Sequence, residues 1–363
     1  MVNNIKLFDV IVDDNEKKIL EKIIESKFWA SGSGVGFVKK FENKFQQYVK
    51  AKSCVAVNSG TAALHLALSQ FDIENKEVII PSLSFVSTAN AVLYNKGIPI
   101  FADIDLKTMC LDPKDVKNKI SKNTKAIIPV HFGGMPADLI SLKKIAKNNR
   151  LVIIEDAAHA AGSSYDGKMI GSHSDACCFS FHPVKNLAMP SGGLISLNHK
   201  HHKSFASKLN SKRWCGITNR QSTEYDIKDI GWNYYMNEFS AGIGLAQLSK
   251  LSKLNNLRKK IAKKFSSKLN ISSKMIYDKN CSYHFYWILV KNRNYLRKKL
   301  FEHGIETGTH YKPIHKFSFY SKKSLKLPIT EYVHEKIVSL PCHPNLSITD
   351  TEKIIKLVNK YAE

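Results

Sequence analysis

The sequence predicts an α/β protein: a large domain on a mostly parallel seven-stranded sheet, followed by a small C-terminal α+β domain. Three observations carry this. Short apolar runs alternate with stretches of helical spacing up to about residue 200, the pattern of parallel strands joined by covering helices. Seven of those runs read as strands. A long Lys-rich amphipathic stretch from Ala241 to Leu269 then leads into a shorter mixed region. A chain of 363 residues accommodates two domains. The expected division is 1–250, N-terminal arm included, and 251–363.

Taken in order, the strands are Val55–Val57, Val78–Ile80, Ile98–Phe101, Ala126–Val130, Leu151–Ile154, Ala176–Phe181 and Leu194–Leu197. Each is a short apolar run, and several stop at turn formers such as Asn58-Ser59-Gly60 or Pro81. Between them Thr61–Gln70, Val86–Asn95 and Leu139–Asn148 carry helical periodicity. In the second domain Tyr283–Val290 reads as a strand and Thr349–Tyr361 as a closing helix, capped by Thr349 or Ser347. There is no internal repeat and no low-complexity linker.

Composition narrows the function. The formal net charge of +24 raises a nucleic-acid reading, yet the basic residues are nearly all lysine. The arginines are Arg150, Arg213, Arg220, Arg258, Arg293 and Arg297; Arg is the usual reader of base edges, and no basic stripe interleaved with aromatics occurs. We therefore expect no nucleic-acid partner: a lysine-rich composition with a solvated surface accounts for the charge, and steering of an anionic substrate by the positive field is the lesser alternative. No apolar run approaches the roughly 20 residues of a membrane span. The opening M-V-N-N-I-K-L-F-D-V lacks a signal-peptide core, so a cytoplasmic protein with no membrane partner is expected. The seven cysteines are odd in number and never form C-x-x-C, which argues for reduced thiols and no metal site.

The chemistry concentrates between Glu155 and Ser196. Asp156 ends one apolar run, and Lys185 follows another in an H-P-V-K-N turn shortly before Gly192-Gly193. A buried carboxylate needs a partner, and a lysine must lose its proton to condense with an aldehyde. Together they could hold a pyridine cofactor by its ring nitrogen and its aldehyde, which points to pyridoxal 5'-phosphate (PLP). His159 could lie against one face of the ring and Phe85 could cover the other. The strand-turn-helix at Val55–Leu64 offers a helix N-terminus for an anion: Gly60 would allow close approach and Thr61 would add a hydroxyl. Plain capping by Asn58 or Ser59 explains the same residues equally well. Ser180, five residues before Lys185, could reach the same phosphate. The S-G-S-G-V-G run at 31–36 lacks a preceding strand and a Lys-Ser/Thr ending, so it reads as a mobile Gly-rich loop rather than a phosphate loop.

These residues resemble the PLP-dependent sugar aminotransferases of the DegT/DnrJ/EryC1/StrS family nearly end to end. The matching motifs are N-S-G-T-A-A-L at 58–64, P-S-L-S-F-V-S-T-A-N-A-V at 81–92, E-D-A-A-H-A at 155–160 and F-S-F-H-P-V-K-N at 179–186. They continue with G-W-N-Y-Y-M-N-E-F-S-A-G-I-G-L-A-Q-L at 231–248, G-T-H-Y-K-P-I-H at 308–315 and L-P-C-H-P-N-L at 340–346. The resemblance implies the type I, aspartate-aminotransferase-like fold and a homodimer with shared active sites. It implies PLP cycling with its pyridoxamine form (PMP), and transfer of an amino group from L-glutamate to a nucleotide-linked ketosugar, by family frequency a 4-keto-6-deoxyhexose. The product would be an amino sugar for surface polysaccharide or glycan synthesis.

By the same resemblance Lys185 is the Schiff-base lysine, Asp156 the partner of the pyridine nitrogen and His159 the ring-stacking residue. Gly60, Thr61 and Ser180 resemble phosphate ligands, and Asn233 the asparagine reaching the phosphate from the other subunit. His310 and Tyr311 would face the sugar nucleotide, with Arg213 and Lys312 as candidates for its diphosphate. Two departures bear on substrate: Met189-Pro190-Ser191-Gly192-Gly193 stands where the family commonly has T-G-E-G-G, and Tyr235 stands where members often carry Arg. The rival readings are a 3-ketosugar or inosose aminotransferase of the same fold and a non-catalytic regulatory homologue.

Overall fold

In the computed structural model, which describes residues 4–321 and 325–362, the large sheet forms from strands β1 (Ser53–Val57), β2 (Glu77–Pro81), β3 (Ile98–Ala102), β4 (Thr124–Ile127), β5 (Val152–Asp156), β6 (Ala176–Ser180) and β7 (Gly193–Leu197). Their order is β1-β7-β6-β5-β4-β2-β3. Only β7 runs against its neighbours β1 and β6; the other pairings are parallel. Both faces are covered, as a parallel sheet requires. Along β1, Val55 and Val57 pack into one core cluster while Cys54 and Ala56 pack into the other, the period-two alternation of a strand.

The helix Gly60–Leu68 is buried along nearly its whole length, because it lies on the sheet beneath further structure and has no polar face to present. Helices Asp14–Ser26 and Gly36–Val49 were not assigned from the sequence. The first carried a readable signal, a capping box at Asp13 and Glu16. Helix Glu238–Lys268, 31 residues and about 46 Å long, leads from the sheet to the C-terminal part, and the expected 250/251 boundary falls within it. There the pair Tyr286–Leu289 and Ile337–Leu340 is antiparallel, with helices Arg293–Glu302, Pro328–Lys336 and Ile348–Tyr361 around it.

Three local expectations are corrected. The strand expected at Tyr283–Val290 covers only Tyr286–Leu289, because Tyr283 has φ 50°, a left-handed conformation incompatible with a strand. The strand expected at Ala126–Val130 stops at Ile127; Pro129 has no N–H to donate, and Val130 makes an isolated bridge to Asp156. The closing helix is capped by Ser347, whose side chain accepts from the Asp350 N–H, not by Thr349. No described helix is long and apolar enough to cross a membrane.

Candidate active site

The carboxyl ends of β1, β2, β5 and β6 and the start of β7 surround a cavity of roughly 370 Å³, with Tyr311 contributed by the C-terminal part. This is where open α/β sheets take ligands. Gly60, Thr61, Phe85, Asp156, His159, Ser180 and Lys185, expected from scattered parts of the chain, all line it.

At one end, Ser59 caps the helix by accepting from the Ala62 N–H at 3.1 Å. That leaves the Gly60 and Thr61 N–H groups without an acceptor among the described residues, so capping and anion binding coexist here rather than compete. The Ser180 hydroxyl has no hydrogen-bond partner among the described residues, and Thr61 Oγ1 sits 2.8 Å from Ser87 Oγ. A Cβ on residue 60 would lie 2.7 Å from the Ser180 Cβ; only glycine lets the turn approach this closely.

At the other end Asp156 is buried and makes no ion pair among the described residues. Its Oδ2 accepts from Thr88 Oγ1 at 2.8 Å and its Oδ1 from the Ala158 N–H at 3.1 Å. Burial raises its pKa above the ordinary carboxylate value, opposed by the Thr88 hydrogen bond. Since the Thr88 proton goes to Asp156, Thr88 must accept from Ser84 Oγ at 2.8 Å. Thr88 and Ser84 were not singled out from the sequence, although both stand in the quoted P-S-L-S-F-V-S-T run. Behind Asp156, Glu155 accepts from His131 Nε2 at 2.9 Å with both side chains fully buried. The His131 N–H donates to the Asp156 carbonyl at 3.1 Å, fixing the end of β5.

Lys185 Nζ has no hydrogen bond or ion pair among the described residues. Burial pulls its pKa from 10.5 down to about 8, and the Asp156 charge only partly offsets this. His159 is buried; its Nδ1 accepts from the Gly133 N–H at 3.2 Å and its Nε2 lies 3.0 Å from Tyr311 Oη. Phe85, 58% exposed, stands across the cavity mouth with its ring 6.1 Å from that of Tyr311.

The remaining candidates are placed elsewhere. Arg213 is 1% exposed and pairs with Glu42 at 2.6 Å and the Ala56 carbonyl at 2.7 Å, so its guanidinium is unavailable to a diphosphate. His310 stacks on Phe285 at 4.5 Å and shares a hydrogen bond with Ser339 Oγ at 2.8 Å; it does not line the cavity. Nor does Lys312, which lies over the Phe317 ring at 4.9 Å. Asn233 is exposed, and its carbonyl accepts from Asn58 Nδ2 at 3.3 Å. The Gly-rich run at 31–36 is a seat for packed side chains: a Cβ on Gly34, where φ is +66°, would lie 1.7 Å from Arg213 Nη2. The missing family Glu is replaced by Ser191, whose hydroxyl donates to the Asn58 carbonyl.

An anion cradle, a buried acid lacking a cation and a partner-free amine in one cavity fit PLP, whose phosphate, ring nitrogen and aldehyde need those three groups. With the sheet order above, they define a PLP-dependent enzyme of the aspartate-aminotransferase fold. Comparison with known proteins names the family. The chain belongs to the DegT/DnrJ/EryC1/StrS aminotransferase family, whose profile matches residues 10–359, and is a PLP-dependent aminotransferase. It is 32% identical to the GDP-perosamine synthase of Escherichia coli O157:H7 over 98% of both chains. Helicobacter pylori PseC, an aminotransferase involved in the biosynthesis of pseudoaminic acid, superposes with a TM-score of 0.91 at 27% identity, covering 99% of each chain. Spr1654 from Streptococcus pneumoniae, solved in its PLP form, gives 0.92 at 26% identity with 98% of each chain covered.

Proposed function

We propose that this protein moves the amino group of L-glutamate to a nucleotide-linked ketosugar, a 4-keto-6-deoxyhexose, making an amino sugar and 2-oxoglutarate. The carrying observation is the pairing of a partner-free Lys185, its pKa drawn down to about 8, with an Asp156 that lacks a cation in the same cavity. The perosamine and pseudoaminic acid relatives support a sugar acceptor.

Bound here, PLP supplies an electron sink for the carbon losing its proton. The chain's own residues do the rest. The Gly60 and Thr61 N–H groups and the Thr61 and Ser180 hydroxyls would hold the phosphate. Asp156 would keep the ring nitrogen charged, and His159 and Phe85 would cover the ring. Lys185 Nζ takes a proton from the carbon bearing the departing amino group and returns it on the far side of the exchange, a role suited to an amine titrating near operating pH. A homodimer is part of the proposal: Asn233 is exposed beside Asn58, and the nearby Ile230 is 76% exposed, a surface that a second copy would cover.

The test is a pair of half-reactions on the reconstituted protein, followed by the cofactor's absorbance. L-glutamate should convert the aldehyde form, and a nucleotide-linked 4-ketosugar should restore it from a panel of UDP-, dTDP- and GDP-linked 3- and 4-ketosugars and inososes. Restoration only by a 3-ketosugar or an inosose would overturn the acceptor, and no conversion by glutamate would overturn the donor. Lys185→Ala should abolish both conversions and the borohydride-fixable link to PLP.

A further inference from the structure

The contact between His159 and Tyr311 carries a proton direction. Gly133 has φ +61°, which turns its N–H onto His159 Nδ1 while its carbonyl accepts from the His284 N–H at 2.9 Å. With both of its backbone groups engaged, Gly133 is a fixed donor, and His159 Nδ1 must be an acceptor. A neutral imidazole then has its one proton on Nε2, and Nε2 donates to Tyr311 Oη. Burial and the nearby Lys185 charge hold His159 neutral, well below its usual pKa. The Tyr311 oxygen is thus an acceptor toward His159, and its own proton has no acceptor among the described residues. Tyr311 lines the cavity with Lys185 and Asp156. Ser84 and Thr88 pass their protons toward Asp156, so they do not compete with it.

Placing an amine on a ketone carbon drives the C=O electron pair onto oxygen; the nitrogen gives up two protons as the C=N bond forms, and the oxygen takes up two and leaves as water. A neutral donor aimed at that oxygen stabilises the charge as it develops. We propose that Tyr311 is the hydrogen-bond donor to the carbonyl oxygen of the amino acceptor, and that His159 positions it through a fixed Nε2–H tautomer. The inference rests on the aminotransferase reading above but not on the identity of the sugar.

The experiment compares PMP-loaded wild type with Tyr311→Phe in single turnovers, using 2-oxoglutarate and the ketosugar panel as acceptors. Loss of the donor should slow every accepted carbonyl substrate about 100-fold, the scale of one oxyanion donor, with PLP affinity unchanged. Equal rates in the two proteins, or a loss of PLP affinity that accounts for the slower rate, would overturn the proposal. Because His159 also faces the ring position, its variants are compared with each other at saturating PMP: His159→Gln retains an acceptor and an N–H and should lose less rate than His159→Leu, and indistinguishable Gln and Leu variants would remove the positioning role. Should wild type accept 2-oxoglutarate but no ketosugar, the sugar assignment fails while the ratio still judges Tyr311. Independently of turnover, 15N NMR of histidine-labelled holoenzyme should show His159 as the Nε2–H tautomer, and an Nδ1–H signal would refute the relay.

Discussion

Replacing Lys185 with methionine should make the protein without cofactor more stable at neutral pH, although it destroys the enzyme. The folded chain holds Lys185 at a pKa of about 8 against 10.5 in the open. For a cation the sign is fixed: between those values the unfolded chain binds more protons than the folded one, so stability rises with pH across that window. Below pH 8 the penalty is nearly complete. A shift of this size corresponds to about 3 kcal/mol at pH 7, about 2 kcal/mol at pH 9 and less than about 1 kcal/mol at pH 10. Methionine has a similar length and no charge, so Lys185→Met should recover most of it. For a chain of this length about 3 kcal/mol moves the melting temperature by roughly 4 °C.

The assay is thermal unfolding of both proteins without cofactor at pH 7 and pH 10. The variant should melt higher at pH 7, with the gap nearly closed at pH 10. A variant that melts lower at pH 7, or a gap independent of pH, would show that Lys185 is not held at a cost in the folded state. The argument for its activation by desolvation would then fall with it.

Further outcomes follow from other parts of the cavity. Asp156→Asn removes the charge but keeps the shape; PLP should still bind, with the glutamate half-reaction slowed roughly 100-fold, measured by stopped-flow absorbance. Gly60→Ala places a methyl against Ser180 and should weaken PLP binding about tenfold or more, the worth of one hydrogen bond to a charged group, read by equilibrium dialysis, and should also lower the melting temperature without PLP because the turn must shift off the strand. Arg213→Ala leaves the buried Glu42 with only the Ala56 N–H and the exposed Lys39 as partners and should destabilise by about 3 kcal/mol, seen in denaturant unfolding. Adding Glu42→Leu should recover part of that loss, which a diphosphate-binding role for Arg213 does not predict.

How far the sequence could be read depended on the separation of the partners. The sheet was legible because each strand is a local run of apolar residues, and because Asp156 and Lys185 stand at strand ends where position alone suggests chemistry. Arg213 was not, because its partner Glu42 lies 171 residues away and no local pattern separates a buried structural arginine from a ligand. Tyr311 meets His159 across 152 residues, so the direction of its hydroxyl exists only in the folded chain. The left-handed turn at Tyr283 was hidden for another reason: an apolar aromatic run has the same composition whether extended or turned. The Gly-rich loop at 31–36 misled because glycine serves mobility and close approach alike. The proximity of Trp214, Arg213 and Glu238 to Gly32, Gly34 and Gly36 decides between them.

The cavity contains opposite electrostatic strains that one molecule relieves together. Asp156 is an acid whose pKa is raised by burial, and Lys185 is a base whose pKa is lowered by it; burial makes the charged form of each costly. They make no ion pair among the described residues, so neither neutralises the other. A ring carrying a positive nitrogen at one edge and an aldehyde at another satisfies the acid by charge and consumes the neutral amine covalently. Any ligand that binds only the folded state adds RT ln(1 + [L]/Kd) to stability. The stabilisation by PLP should therefore exceed what its phosphate contacts alone would give, and should shrink in Asp156→Asn and again in Lys185→Met. If the shift in melting temperature caused by PLP is the same in wild type and in the Asp156→Asn, Lys185→Met double variant, the phosphate cradle alone accounts for binding, and the two strained groups are not coupled through the cofactor.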